Sequence, residues 1–146
     1  HFEPLKNGQI FDLGGRKEEI FFMPGHTVGS IVVFDHETGL LFSGDNISDS
    51  LWIMFDTSAR LSEYVEHLMD IKLLPIQGIV AAHRGIIFPI SIMSDLLRTI
   101  SCINPETDRT FTHPRTGQKA LKHREECRAV EDIKYIYVVY DKDKIE

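Results

Sequence analysis

The chain has 146 residues, 42% of them hydrophobic and 26% charged, with a formal net charge of −6 at pH 7. This is the composition of an ordinary soluble globular protein, and one domain of this length can bury about 70% of the surface its unfolded chain exposes. No apolar run approaches the ~18 residues of a membrane span, no signal peptide is visible, and the acidic balance argues against a nucleic acid held by general electrostatics, leaving room only for a small local basic site.

In chain order, His1 to Asn7 reads as an entry segment and Asn7-Gly8 as a turn. Gln9 to Leu13 alternates like a strand, Gly14-Gly15 turns, and Glu19 to Met23 is its hairpin partner. A second hairpin follows: Ile31 to Phe34, the polar turn Asp35 to Gly39, and the return through Leu40-Leu41-Phe42 to Gly44-Asp45. Asn46 to Thr57 reads as a loop whose apolar residues, among them Trp52 and Phe55, form either a substrate-facing wall or a surface that plugs the core or packs on polypeptide beyond this chain.

Ser58 to Leu74 repeats apolar residues at Leu61, Tyr64, Val65, Leu68 and Ile71, the spacing of an amphipathic helix that Pro75 stops. Gly78 to Ala82 is a short buried strand ending at His83. Pro89 then opens a helix with an apolar stripe at Ile90, Met93, Leu97 and Ile100. Asn104 to Gly117 is polar and turn-rich; its His113 reads as a solvated loop residue or as a proton donor near a pocket. Gln118 to Ala129 is composed of helix formers, and Ile133 to Tyr140 is a β-branched and aromatic strand. The two cysteines, Cys102 and Cys127, lack metal or redox spacing, so reduced thiols in a cytoplasmic protein are expected.

The second hairpin organises the candidate chemistry. If Asp35 pairs near Leu40, Ile31 pairs near Gly44, and His26, just after the Pro24-Gly25 break, lies at the same rim as Asp45. The following strand, helix, strand order is a crossover, so Leu40–Ser43 and Ile79–Ala82 run parallel. Their carboxyl ends share one edge of the sheet, where ligands of open α/β sheets bind. His26, Asp45 and His83 therefore converge on one rim as potential metal ligands, although a loop histidine and a turn-forming aspartate are the plainer reading of His26 and Asp45 taken singly.

Pro24-Gly25-His26-Thr27-Val28-Gly29-Ser30, then Phe42-Ser43-Gly44-Asp45, then Ala82-His83-Arg84-Gly85 resembles the C-terminal half of the metallo-β-lactamase-fold hydrolases in order and spacing. The likeness covers Gly8 to Ile100; Lys119-Ala120-Leu121 and Val139 to Ile145 resemble the ends of some bacterial members. The resemblance implies an α+β fold, the C-terminal half of an αββα sandwich with a mixed sheet flanked by helices, in one partial domain over residues 1–146. It implies two divalent metal ions, with zinc favoured and iron or manganese open. His26 would anchor one ion, His83 the other, and Asp45 would bridge them and orient a metal-activated hydroxide toward an ester, thioester, amide or phosphodiester of a small-molecule substrate. An aspartate in the bridging position resembles the thioester, phosphodiester and general hydrolase branches.

One departure is large. The family carries a His-X-His-X-Asp-His motif upstream of the Pro-Gly-His loop, and no His-X-His occurs in this chain. His26, Asp45 and His83 fall short of a complete site. With His1 in place of an initiator Met, the expectation is a C-terminal piece of a longer hydrolase. A non-catalytic binding or structural module is the alternative. A half-sandwich would leave an apolar sheet face containing Ile31, Val33, Leu41 and Ile79 uncovered, calling for an N-terminal half or a homodimer partner.

Overall fold

The structure is a computed structural model and describes residues 2–146; His1 lies outside the described residues. The two N-terminal hairpins are β1 (Gln9–Asp12) with β2 (Lys17–Phe22), and β3 (Ile31–Asp35) with β4 (Leu40–Gly44). There follow β5 (Ser50–Ile53), α1 (Leu61–Ile71), β6 (Gly78–Ala81), β7 (Ile87–Phe88), α2 (Ser91–Ser101), β8 (Arg109–Thr112), β9 (Lys119–Glu126) and β10 (Tyr135–Tyr140). Among the described residues the strands form a six-stranded sheet, β1-β2-β3-β4-β6-β7, and a four-stranded sheet, β5-β10-β9-β8. Both are mixed, because β4 runs parallel to β6 and β5 to β10 while the other pairs are antiparallel. The α+β class and the mixed sheet beside helices are as read from the sequence.

The hairpin register follows from its short turn. Val33 pairs with Phe42 and Phe34 with Leu41, which continues to Ile31 opposite Gly44. Asp35 fastens the turn: its buried carboxylate accepts from the Thr38 hydroxyl (2.5 Å), the Glu37 amide (3.0 Å) and Arg16 (2.5 Å). These bonds, the Thr38 hydroxyl foremost, hold the Asp35 carboxyl below the usual carboxylate range. One continuous core joins Val32, Phe34, Leu41 and Ile79 of the larger sheet to Leu61, Tyr64, Leu68 and Ile71 of α1, Ile92, Met93 and Leu96 of α2, and Leu51, Ile53, Ile136, Val138 and Tyr140 of the smaller sheet. Among the described residues no helix is long and apolar enough to cross a membrane, and Cys102 and Cys127 are free thiols.

Four expectations need correction. The 46–57 stretch is not a loop throughout: it contains β5, whose Leu51 and Ile53 are fully buried with Ile47 and Met54. The 118–129 stretch is not helical; Lys119–Glu126 is a strand paired along its length with β10. Helix propensities spread over less than ~1 kcal/mol per residue, and a full ladder of cross-strand bonds overrides them. The buried stripe of α2 is Ile92, Met93, Asp95, Leu96 and Thr99, rotated from the expected one, and Ile90 precedes the helix. The rotation is set by Asp95, whose carboxylate accepts from Arg98 (2.8 Å) and from the amides of Arg128 (2.6 Å) and Ala129 (2.8 Å). Finally, Leu41 and Ile79 lie on the covered face of the larger sheet, not beside Val33. The register puts Val33 across from Phe42 and Val80 on the opposite face, where Ile31, Leu40 and Val80 are half-buried and Phe42 and Ile87 exposed.

Candidate active site

Three bends meet at one edge of the larger sheet: the β2–β3 loop with His26, the turn after β4 with Asp45, and the turn after β6 with His83. Because β4 and β6 are parallel neighbours, the last two leave the sheet side by side. His26, Asp45 and His83 line one cavity of about 630 Å³, within the ~300–1,000 Å³ of small-molecule sites.

Each bend has a local cause. The β4–β6 register slips between Phe42 and Gly44, and Gly44 adopts φ +57°, so the chain turns sharply and delivers Asp45 to the rim. His83 itself sits at φ +63°, a left-handed conformation uncommon for a residue with a side chain. The neighbours on both sides hold it there. The Ala82 amide donates to the Gly44 carbonyl (2.8 Å), and Arg84 grips buried Asp49 in a two-pronged ion pair, Nε to Oδ1 at 2.8 Å and Nη2 to Oδ2. Strain of this kind persists only where surrounding contacts over-determine it. The result is a His83 side chain 85% exposed to the cavity mouth, its Nε2 3.4 Å from Asp45 Oδ1.

His26 is fixed by a buried polar network. Its amide donates to Asn46 Oδ1 (3.0 Å), and its carbonyl accepts from the Ser58 hydroxyl (2.7 Å). Asn46 Nδ2 donates to the Met23 carbonyl (3.0 Å), and the Asn46 carbonyl accepts from the Tyr64 hydroxyl (2.7 Å). Burial pushes the Tyr64 phenol above its usual range, so it stays a donor. Gly25 is required by proximity: a Cβ there would lie 2.6 Å from the Tyr64 ring and 2.8 Å from Asn46 Oδ1. The His26 Nδ1 lies 3.0 Å from the Trp52 carbonyl. A carbonyl only accepts, so Nδ1 carries the hydrogen and Nε2 keeps its lone pair.

The opposite wall is aromatic. Trp52, Phe55 and His113 pack with ring centroids 5.5–6.3 Å apart, and Phe55 stands edge-on to the His26 ring at 5.3 Å. His113 Nδ1 accepts from the amides of Arg115 (3.2 Å) and Thr116 (3.1 Å), which leaves the proton of the neutral ring on Nε2. Two histidines of one cavity thus hold opposite tautomers: His26 offers a lone pair and His113 a donor.

The donor chemistry fits a divalent metal ion. The 3.4 Å between His83 Nε2 and Asp45 Oδ1 equals the edge of a tetrahedron around an ion bonded at ~2.0–2.2 Å, and His26 is held in the ligating tautomer. The number of donors is smaller than a closed site needs, since among the described residues no three His, Cys, Asp or Glu side chains group tightly enough to hold an ion. The sequence named His26, Asp45 and His83, and the structure brings all three to one cavity, with Asp45 and His83 adjacent. It did not name Asn46, Asp49, Ser58 or Arg84 as the residues that hold them. For Asn46 and Asp49 the available signal was the cluster of polar residues Asn46, Ser48 and Asp49 just after an apolar strand; Ser58 and Arg84 carried none.

Comparison with known proteins places the chain in a family. The human acyl-coenzyme A thioesterase MBLAC2 is 39% identical over 61 residues, covering 42% of this chain and 22% of that protein. The lactamase-like protein nscB of Trichophyton verrucosum is 32% identical over 84 residues, covering 58% of this chain and 28% of that protein. The matched stretch therefore spans less than a third of the length of either relative. A β-lactamase domain protein from Burkholderia ambifaria superposes with a TM-score of 0.58 at 19% identity, over 69% of this chain and 32% of that one, a likeness of fold. The family profile described as the metallo-beta-lactamase superfamily matches residues 1–134. Motif order, rim geometry and this match agree: the chain belongs to the metallo-beta-lactamase superfamily, a family of hydrolases.

Proposed function

We propose that this chain carries part of the active site of a metal-dependent thioester hydrolase. The observation that carries the reading is the rim itself: Asp45 and His83 set a ligand-to-ligand edge apart, and His26 is locked by Trp52 with its free nitrogen available. Likeness to an acyl-coenzyme A thioesterase favours a thioester over the ester, amide and phosphodiester bonds that the family chemistry also allows. Zinc is the first ion to try, with iron and manganese next, because mixed imidazole and carboxylate donors suit all three.

His26, Asp45 and His83 would hold the metal. When bound, the metal supplies Lewis-acid chemistry, activating water and polarising the acyl carbonyl. The chain's own residues do the rest. Trp52 and Phe55 give an apolar wall that excludes water from an acyl chain. His113 lines the same cavity, and its Nε2 proton would donate to the departing or developing negative atom. The remaining metal ligands, and the cover for the open face of Ile31, Val33, Phe42, Val80 and Ile87, come in this reading from polypeptide outside the 146 residues or from a second copy of the chain. The substrate is a small molecule, with no nucleic acid and no membrane partner.

Trp52 is the single tryptophan, so its fluorescence reports on the rim. Zinc added to the chain should change it saturably, and Asp45→Ala or His83→Ala should weaken that response at least tenfold, as loss of coordinating shell residues does. A response identical in wild type and both variants would overturn the reading. That no tight three-donor group occurs among the described residues favours a second reading, a module that binds without metal. Under it, acyl thioesters would quench Trp52 fully in the presence of a chelator.

A further inference from the structure

The smaller sheet has a second concavity of about 270 Å³, lined by Arg109, Lys122, Arg124 and Tyr137 together with Asp108 and His123. Strand register explains the grouping: Arg109 pairs with Lys122 and Arg124 with Tyr137, so the cations project from one face. Aromatic rings hold them in place. Lys122 Nζ is 4.0 Å from the Tyr137 centroid, and the Arg124 guanidinium is 4.4 Å from that of Tyr135.

These cations have no anion. Among the described residues, Arg109, Lys122 and Arg124 make no ion pair, whereas neighbouring Arg98 and His123 do. The one carboxylate in the lining, Asp108, is engaged elsewhere: it accepts from Tyr140 (2.7 Å) and the Asn104 amide (3.1 Å) and pairs with His123 Nδ1 at 2.5 Å. Burial, and then the Arg124 charge, holds the Lys122 ammonium below its usual range. In a chain of net charge −6, unpaired cations gathered in one hollow form a local field that selects an anion. Guanidinium forks beside an ammonium match phosphate oxygens in shape and charge.

We propose that this pocket binds a phosphate-bearing anion, either the phosphorylated end of the substrate's carrier or a free phosphorylated effector. The first source is favoured by position. Phe111 lies 5.9 Å from Lys122 Nζ and 5.3 Å from Trp52, so an aromatic path on one sheet face joins the pocket to the wall of the main cavity. That assignment of source rests on the thioesterase reading; the phosphate pocket does not.

The test is titration of pyrophosphate into the chain in the presence of EDTA, which removes metal as an alternative site, followed by calorimetry. Saturable binding is expected. Lys122→Gln and Arg124→Gln should each weaken it about tenfold, the share of a hydrogen bond to a charged group. Lys122→Arg should retain it, and Lys6→Gln, remote from the pocket, should leave it unchanged. Absence of saturable binding, or equal weakening by Lys6→Gln, overturns the proposal. The sources separate on hydrolysis by the protein at the length of its relatives. A KM raised by Lys122→Gln for a phosphorylated thioester, and unchanged for an unphosphorylated one, supports the substrate source. Equal KM values with pyrophosphate binding intact overturn that source and support the effector. If no thioester is cleaved at all, the hydrolase reading fails while the pyrophosphate result still decides the pocket.

Discussion

The polar rim and the aromatic wall of the cavity are built by different sheets and held by different physics. The rim descends from turns of the six-stranded sheet, and directional bonds fix it: Asn46 to His26, Ser58 to His26, Tyr64 to Asn46, Asp49 to Arg84. The wall comes from β5, the loop after it and the turn after β8, and ring packing among Trp52, Phe55 and His113 fixes it. A hydrogen-bonded site tolerates little change, because a buried polar atom left without its partner costs about 1–3 kcal/mol. A packed wall depends on shape and adapts. The rim should therefore behave as one brittle unit and the wall as a replaceable surface.

The sharpest way to break that contrast is Asn46→Ala. It removes the acceptor of the His26 amide and the donor to Met23, and should lower stability by about 2–4 kcal/mol while abolishing the zinc response of Trp52; chemical denaturation and fluorescence measure both. Arg84→Ala comes next. It strands buried Asp49, but Arg84 is half exposed, so a loss of about 1–2 kcal/mol is expected after allowance for solvent screening, with weaker zinc binding because the His83 turn relaxes.

Acid is a broader and gentler probe. Asp35 in the larger sheet is held below the usual carboxylate range by Thr38 first, then the Glu37 amide and Arg16. For Asp95 and Asp108 burial pushes upward, yet bonds from Arg98 and from His123 and Tyr140, respectively, outweigh it. Carboxyls depressed in the folded state stabilise it above their unfolded value of ~4, and that contribution is lost as pH falls through the folded value. Thermal melts between pH 6 and 3 should show Tm falling only below about pH 4, in one cooperative step because both sheets share a core; two steps would separate the sheets. The smallest effect is expected from Trp52→Ala. It removes the wall but keeps the carbonyl that orients His26, so zinc affinity by calorimetry should change less than about threefold, while the KM for a long-chain acyl thioester rises.

The same contrast marks what the amino-acid sequence discloses. The rim was legible because its bends are written in glycine and proline and its hairpin register follows from turn length: Val33 does meet Phe42, and Leu40–Gly44 does run parallel to Gly78–Ala81. The wall was not. In Lys119–Glu126 both faces carry charged or polar residues, Lys122 and Arg124 on one and His123 and Glu125 on the other, so period two is invisible and helix-forming composition misleads. β5 is embedded in an apolar run with no alternation to read. Asp95 fails for a different reason: a carboxylate that turns inward to bind the amides of Arg128 and Ala129 looks, in sequence, like a residue bound for water. Polar side chains that serve the backbone are hidden until the segment they serve is in place.

Trp52 belongs to both sides of the contrast. Its main-chain oxygen is the pivot against which the His26 ring is set, and its indole borders the space a guest would fill. The carbonyl that orients the His26 ring and the indole that borders the cavity thus hang from one Cα, so the backbone of a single residue serves both the polar rim and the aromatic wall.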